Sequence, residues 1–81
     1  MRIRVLLFAR LRELAEGDDF EMEIPDRSTL GAVWSRLQEE RPGLNAFRHP
    51  PLMTRSQEYA SPETILEADE EVAFFPPVSG G

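Results

Sequence analysis

The chain has 81 residues, 15 acidic against nine basic side chains for a net charge of -6, and no cysteine. This is the length of one small domain. The acidic balance argues against a nucleic-acid partner, which calls for a basic face. The missing cysteines exclude disulfides, thiolate metal ligation and a cysteine nucleophile.

Arg2 to Phe8 alternates at first, with Arg2 and Arg4 against Ile3 and Val5, and then runs on as Leu6-Leu7-Phe8. It reads as a strand that becomes apolar on both faces. Ala9 to Glu16 is rich in helix formers, with Leu11, Leu14 and Ala15 at helical spacing, and Gly17 stands where a helix stops. Phe20 to Ile24 alternates as a second strand with one polar face, ended by Pro25-Asp26. Ser28 or Thr29 caps the next helix. Its core stripe is Leu30, Val33, Trp34 and Leu37, and Arg41-Pro42-Gly43 closes it. Leu44 to Pro51 reads as loop, and His49 within it as a surface side chain rather than a ligand, with no second histidine beside it. Leu52 to Tyr59 reads as one short, polar strand near an edge. Ser61 to Thr64 is a turn and Glu67 to Glu71 a solvated acidic turn. Glu71 to Phe75 is the last strand, ended by Pro76-Pro77.

This order predicts an α+β fold: a mixed sheet around one main helix, with the first and last strands parallel in the middle, the β-grasp or ubiquitin-like arrangement. The domain is expected over 1–76 and an extended tail over 77–81. No apolar run approaches the ~20 residues of a bilayer span and no leader pattern is present, so the expected location is the cytoplasm.

The sequence closes on Val78-Ser79-Gly80-Gly81. At a glycine usage of ~7%, a final Gly-Gly pair arises by chance in about 0.5% of chains. Glycines have no side chains to pack and leave a slim backbone with an unhindered carboxylate. The bland alternative is a frayed end or an expression scar. Pro76-Pro77 favours an extended exit, and Pro77 to Gly81 spans ~17 Å at ~3.4 Å per residue. Activated as an acyl-adenylate, such a carboxylate accepts sulfur to give a thiocarboxylate, or an amine to give an amide. The carrier itself needs no catalytic side chain for this. Gly17, Gly31 and Gly43 form no phosphate-binding loop. All nine basic residues are arginine, so the chain offers no lysine amine to its own activated end.

Alternation also predicts a docking face. With Ile3, Val5, Leu7, Val72 and Phe74 turned toward the helix, Leu6, Phe8 and Phe75 lie on the open face. An exposed apolar cluster there marks a protein partner, flanked by Arg12 and Tyr59. The alternation leaves open that Phe8 and Phe75 are simply core.

Phe8-Ala9-Arg10-Leu11-Arg12-Glu13-Leu14 and Glu71-Val72-Ala73-Phe74-Phe75-Pro76-Pro77-Val78-Ser79-Gly80-Gly81 resemble the small-subunit family of molybdopterin synthase, the MoaD family, over essentially the whole chain. The resemblance implies a β-grasp sulfur carrier whose Gly81 is adenylated by a ubiquitin-activating-like adenylyltransferase, with ATP consumed by that partner, and then thiocarboxylated. It implies no permanently bound cofactor and no metal. It further implies that Pro76, Pro77, Val78, Ser79 and Gly80 enter the large subunit, where Gly81 gives sulfur to cyclic pyranopterin monophosphate. The family's partner contacts map onto Phe8 and Phe75, with Arg12 and Tyr59 nearby, and its assembly is two small and two large subunits. Thr54-Arg55-Ser56 departs from the family's usual Ala-Val-Asn, and Ala68-Asp69-Glu70 from its Asp-Gly-Asp turn. Other readings are a carrier for thiazole or tRNA thiolation, a ubiquitin-like modifier joined to lysines, and a non-reactive binding module.

Overall fold

The computed structural model describes residues 1–46 and 50–77. The elements follow as β1 (Arg2–Leu7), α1 (Arg10–Ala15), β2 (Asp19–Glu23), α2 (Leu30–Glu40), a 3₁₀ turn (Pro42–Ala46), β3 (Leu52–Arg55), β4 (Glu58–Tyr59) and β5 (Glu71–Phe75). The five strands form one sheet in the order β2-β1-β5-β3-β4. Only β1 and β5 pair parallel, with Arg4 beside Glu71 and Leu7 beside Phe74, while the other neighbours are antiparallel. This is the mixed β-grasp sheet expected from the sequence, with its first and last strands together at the centre.

Alternation decides what the sheet buries. Ile3, Val5 and Leu7 from β1, Val72 and Phe74 from β5, Met22 from β2 and Met53 from β3 all turn to one side. There they meet Leu30, Val33, Trp34 and Leu37 of α2 in one buried cluster. The Phe74 ring packs 5.1 Å from Trp34. Leu11 and Ala15 of α1, Leu44 and Leu66 close the same core from its ends.

The start of α2 has every first-turn N–H satisfied, which helix ends require. Thr29 Oγ1 accepts from the Ala32 N–H at 3.1 Å, as an N-cap threonine does. The Val33 N–H donates to Thr29 O at 3.2 Å, and the Leu30 and Gly31 N–H groups donate to Thr64 O and Pro62 O, each at 2.9 Å. Gly31 eases the last of these, because a Cβ there would stand a tight 3.2 Å from that same Pro62 oxygen.

The structure corrects the sequence reading in three places. Leu52 to Tyr59 is not one strand but a hairpin, β3 and β4, turning at Ser56 (φ 51°) and Gln57 (φ 69°). Two successive positive φ values are the signature of a type I′ turn, the connection that matches the sheet's twist. Leu44 to Pro51 is not all loop: the chain winds through a 3₁₀ turn that buries Leu44 completely. Gly17 does not supply the left-handed stop of α1. That conformation belongs to Glu16 (φ 59°, ψ 40°). The Gly17 N–H reaches back to Arg12 O at 3.2 Å and the Glu16 N–H to Glu13 O at 3.3 Å, the double closure of a Schellman end. Gly17 is small for another reason. A Cβ there would meet the Phe20 ring at 2.8 Å, and that ring carries the Arg41 guanidinium 4.2 Å from its centroid.

Candidate functional site: the open face of the sheet

The side chains of opposite parity form a face that no helix covers. Its two halves differ. Near the start of β1 and β5 the face is ionic. Arg4 forks onto Asp19, with Nε and Nη2 at 3.0 and 2.7 Å from the two carboxylate oxygens, and its Nη1 stands 3.7 Å from Glu71. Arg2 pairs with Glu23 at 2.9 Å and with Glu21 at 3.7 Å. The hydrogen bond from Arg4 holds the Asp19 carboxyl below its ordinary range, and the same bond raises Arg4. Such exposed pairs contribute little stability. They do keep this half wet.

Toward the ends of the same strands the face turns apolar. Leu6 lies beside Ala73, Ala73 opposite Thr54, Phe75 opposite Leu52, and Tyr59 opposite Thr54. The Phe8 and Phe75 rings stack in parallel, centroids 4.6 Å apart and planes 9° apart. Offset-stacked pairs of this kind contribute about 0.5–1.5 kcal/mol beyond their burial. Phe8 is 41% and Tyr59 77% exposed, so neither belongs to the core. Phe75, Pro76 and Pro77 are half-buried.

Of the residues picked out from sequence, the structure thus brings together Phe8 and Phe75 in direct contact and places Tyr59 on the same face, two strands away from Phe75's strand. Arg12 is exposed on α1, and its guanidinium makes no ion pair among the described residues. Val78, Ser79, Gly80 and Gly81 lie outside the described residues, as does His49. Leu52 was not assigned to this face, although the Leu52-Met53 alternation carries the signal once the strand is known to end at Arg55. Arg55, the departure in β3, sits at the sheet's end, where its Nε pairs with Glu70 at 3.1 Å and its Nη1 donates to Ile65 O at 3.3 Å. Glu70 also accepts the Glu67 N–H at 2.7 Å, and Asp69 takes the left-handed conformation (φ 65°) that its turn needs.

The joint between β1 and α1 borders the apolar half. Phe8 O accepts from the Leu11 N–H at 3.1 Å, closing a four-residue turn. Its first central residue, Ala9, has φ 53° and ψ -128°. That is the type II′ geometry whose first central position favours glycine. An L-residue held there costs on the order of 1–3 kcal/mol.

A groove of about 350 Å³ lies beside Tyr59, lined by Arg55, Ser56, Glu58, Ala60 and Thr64. Its hydroxyls have no histidine or cysteine for a base or nucleophile. Among the described residues, no group of three or more His, Cys, Asp or Glu is placed to hold a metal ion. No helix among them is long and apolar enough to cross a membrane.

Residues 5–81 match the sequence model of the ThiS family. The chain belongs to that family. It is 35% identical over 81 residues to the molybdopterin synthase sulfur carrier subunit of Arabidopsis thaliana, covering 100% of this chain and 84% of the relative. It is 31% identical over 83 residues to the subunit of that name from Chlamydomonas reinhardtii, covering 100% of both chains. Among solved structures it resembles SAMP1 of Haloferax volcanii, with a TM-score of 0.85 and 28% identity over 100% of both chains. A second structure of that protein carries the name small archaeal modifier protein 1. The fold also matches a chain in the complex of subunits 1 and 2 of the molybdopterin-converting factor of Helicobacter pylori, with a TM-score of 0.69 and 18% identity. The resemblance carried by Phe8–Leu14 and Glu71–Gly81 is thereby confirmed at the level of family and ubiquitin-like fold.

Proposed function

We propose that this chain is the sulfur carrier subunit of a molybdopterin synthase, with Gly81 as its reactive residue and no catalytic side chain of its own. A ubiquitin-activating-like adenylyltransferase joins the Gly81 carboxylate to the AMP portion of ATP and releases pyrophosphate. A sulfur donor then displaces AMP, leaving a thiocarboxylate. Inside the large subunit that sulfur passes to cyclic pyranopterin monophosphate, and two such rounds supply a dithiolene. Two small and two large subunits form the assembly.

The observation that carries this reading is where the apolar half of the face stands. It surrounds the end of β5, and the chain runs directly from Phe75 through Pro76-Pro77 toward Gly81. A partner that covers Phe8, Phe75, Leu6 and Leu52 is thereby set beside the tail's exit. The length of Pro77 to Gly81, ~17 Å at most at ~3.4 Å per residue, is enough for the carboxylate to enter a buried site in such a partner. The names of the curated relatives support the same reading.

Intact-mass analysis after incubation with the activating enzyme, ATP and a sulfur source tests it. The expected result is replacement of one oxygen by sulfur in the C-terminal peptide, and dithiolene formation once large subunit and pterin precursor are added. Full activity after deletion of Gly81 refutes every carrier reading. Thiocarboxylate without dithiolene points instead to thiazole or tRNA thiolation. The likeness to SAMP1 favours a second reading, a protein modifier, and amide linkage of Gly81 to lysines of other proteins is its signature.

A further inference from the structure

We propose that Arg10 and Arg12 are specificity-determining residues for acyl transfer from Gly81: they carry positive charge beside the tail's exit in a form that cannot capture the activated carboxyl, so the acyl group passes only to a second molecule. The proposal rests on the carrier reading given above.

Three observations carry it. First, the chain holds neither of the side chains that take an acyl group readily near neutral pH, the cysteine thiolate and the lysine amine: it has no cysteine, and all nine basic residues are arginine. A guanidinium stays protonated and keeps no free electron pair for attack on a carbonyl. Second, the topology puts two arginines where a lysine would intercept the tail. Leu7 of β1 lies beside Phe74 of β5, and the Phe8 ring stacks on Phe75. Arg10 follows Phe8 by two residues, so their Cα atoms are at most ~7.6 Å apart at ~3.8 Å per step, and Arg12 stands on the same first turn of α1. Both are exposed. The ~17 Å reach of Pro77 to Gly81 exceeds that distance. Neither place asks for arginine in particular. Arg10 makes one exposed pair, with Glu13 at 3.2 Å, which a lysine makes as well, and Arg12 makes no ion pair among the described residues. Third, the α-ammonium of Met1 is out of reach. β1 and β5 run parallel, which sets the start of one and the end of the other at opposite ends of the sheet. From Leu7 back to Met1 is ~20 Å at ~3.3 Å per residue, beyond the tail's ~17 Å. That ammonium is also engaged, donating to Ile24 O at 2.7 Å and standing 3.4 Å from Asp26.

The test uses the 81-residue chain with a Gly81 thiocarboxylate installed by sulfide cleavage of a C-terminal intein fusion, so that it does not depend on an activating enzyme. A nitrobenzoate disulfide then activates it. The thiocarboxylate sulfur bonds to one sulfur of the disulfide and releases an aryl thiolate. An amine that attacks the carbonyl carbon breaks its bond to sulfur, releases the aryl persulfide anion and gives up a proton. Without cysteine the chain offers the reagent no thiol. Methylamine added to a parallel sample is acylated in every case and reports that activation is complete. Wild type is expected to return to the carboxylate by hydrolysis, with no amide in its intact mass. Arg10→Lys and Arg12→Lys are each expected to give at least about tenfold more amide than wild type, the advantage of an amine held within reach. The product has lost one water relative to the carboxylate form, its cross-link maps between Gly81 and the substituted side chain, and its yield is independent of protein concentration. Wild type that closes a ring or joins to itself overturns the proposal. So do lysine variants that form no more amide than wild type while methylamine is acylated. Failure of the enzymatic thiocarboxylation described above sinks the carrier reading instead, and is read separately from this result.

Discussion

Two adjacent phenylalanines on β5 test which side of the sheet is core and which is surface. Phe74 is wholly buried and packs on Trp34. Phe75 is half-buried and stacks on Phe8, itself 41% exposed. Phe74→Ala removes a full aromatic side chain from a filled core, at a cost of about 3–5 kcal/mol. A chain of this size has roughly 4–12 kcal/mol of total stability, so the variant is expected to be marginal or unfolded at 25 °C. Phe75→Ala gives up about half the ~1.5–3 kcal/mol of a fully buried phenylalanine. It also loses a stacking term of about 0.5–1.5 kcal/mol. The sum is about 1–3 kcal/mol, below the cost of Phe74→Ala, and the fold survives. Urea unfolding followed by Trp34 fluorescence measures both, provided the slope is unchanged so that midpoints report stability. Titration with the large subunit then reads binding for the folded variant, and Phe75→Ala is expected to lose at least tenfold in affinity. Equal destabilisation by the two substitutions refutes the face assignment. A stable Phe75→Ala with wild-type affinity refutes the docking face.

Gly43→Ala is expected to cost about 2–3 kcal/mol, at the upper end of overpacking, because the new Cβ runs into the backbone oxygen of Leu14. Gly17→Ala meets only the tip of the Phe20 ring and is expected to cost about 1 kcal/mol through the disturbed Arg41–Phe20 contact; thermal melts rank the two, and the reverse order contradicts the close-approach argument. Gln57→Gly places glycine at a left-handed turn position (φ 69°) and is expected to add about 0.5–1 kcal/mol, visible as a raised urea midpoint. Asp19 titrates below its ordinary value because Arg4 donates to it. A lowered carboxylate stabilises the fold above the unfolded value near ~3.9, and that contribution is lost as pH falls through the folded value. An NMR titration of the Asp19 carboxyl is expected to show a midpoint that moves up toward the ordinary value in Arg4→Gln. A midpoint indifferent to Arg4 contradicts the pairing.

Much of this was legible in the sequence because periodicity and burial agree. The stripe Leu30, Val33, Trp34, Leu37 is the buried face of α2, and Ile3, Val5, Val72 and Phe74 are the buried face of the central strands. Phe8 and Phe75 followed from the same parity. What escaped depends on backbone conformation that residue type does not announce. Ser56-Gln57 makes a type I′ turn without the Asn-Gly or Asp-Gly pair that normally signals one. Glu16 takes the left-handed stop, and Gly17 beside it serves clearance from Phe20 instead. The 3₁₀ turn over Pro42–Ala46 exists because Leu44 has a core to enter, a tertiary gain invisible in a segment with three turn formers, Pro42, Gly43 and Asn45. Arg55, a departure from the family's usual residue, is accommodated by Glu70, a partner 15 residues on whose carboxylate no local reading places there.

The two-part character of the open face follows from one topological choice. In β1 the outward residues read Arg2, Arg4, Leu6 and then Phe8 just past the strand. In β5 they read Glu71, Ala73, Phe75. Each strand runs from charged to apolar along its own direction. Parallel pairing puts Arg4 beside Glu71 and Leu6 beside Ala73, so the two gradients add. Antiparallel pairing of the same strands would set Phe75 against the arginines, break the stack with Phe8 and scatter apolar side chains over the whole face. The antiparallel neighbours complete each half. β2 brings Asp19, Glu21 and Glu23 to the arginines, and β3 brings Leu52 to Phe75. Ionic residues thereby keep one half in water while the exposed apolar area is confined to the end of β5. A confined patch limits indiscriminate association, and it stands where the chain leaves the sheet through Pro76-Pro77 toward Gly81. Under the proposed docking, the parallel pairing of the first and last strands sets where the partner would meet the start of the tail.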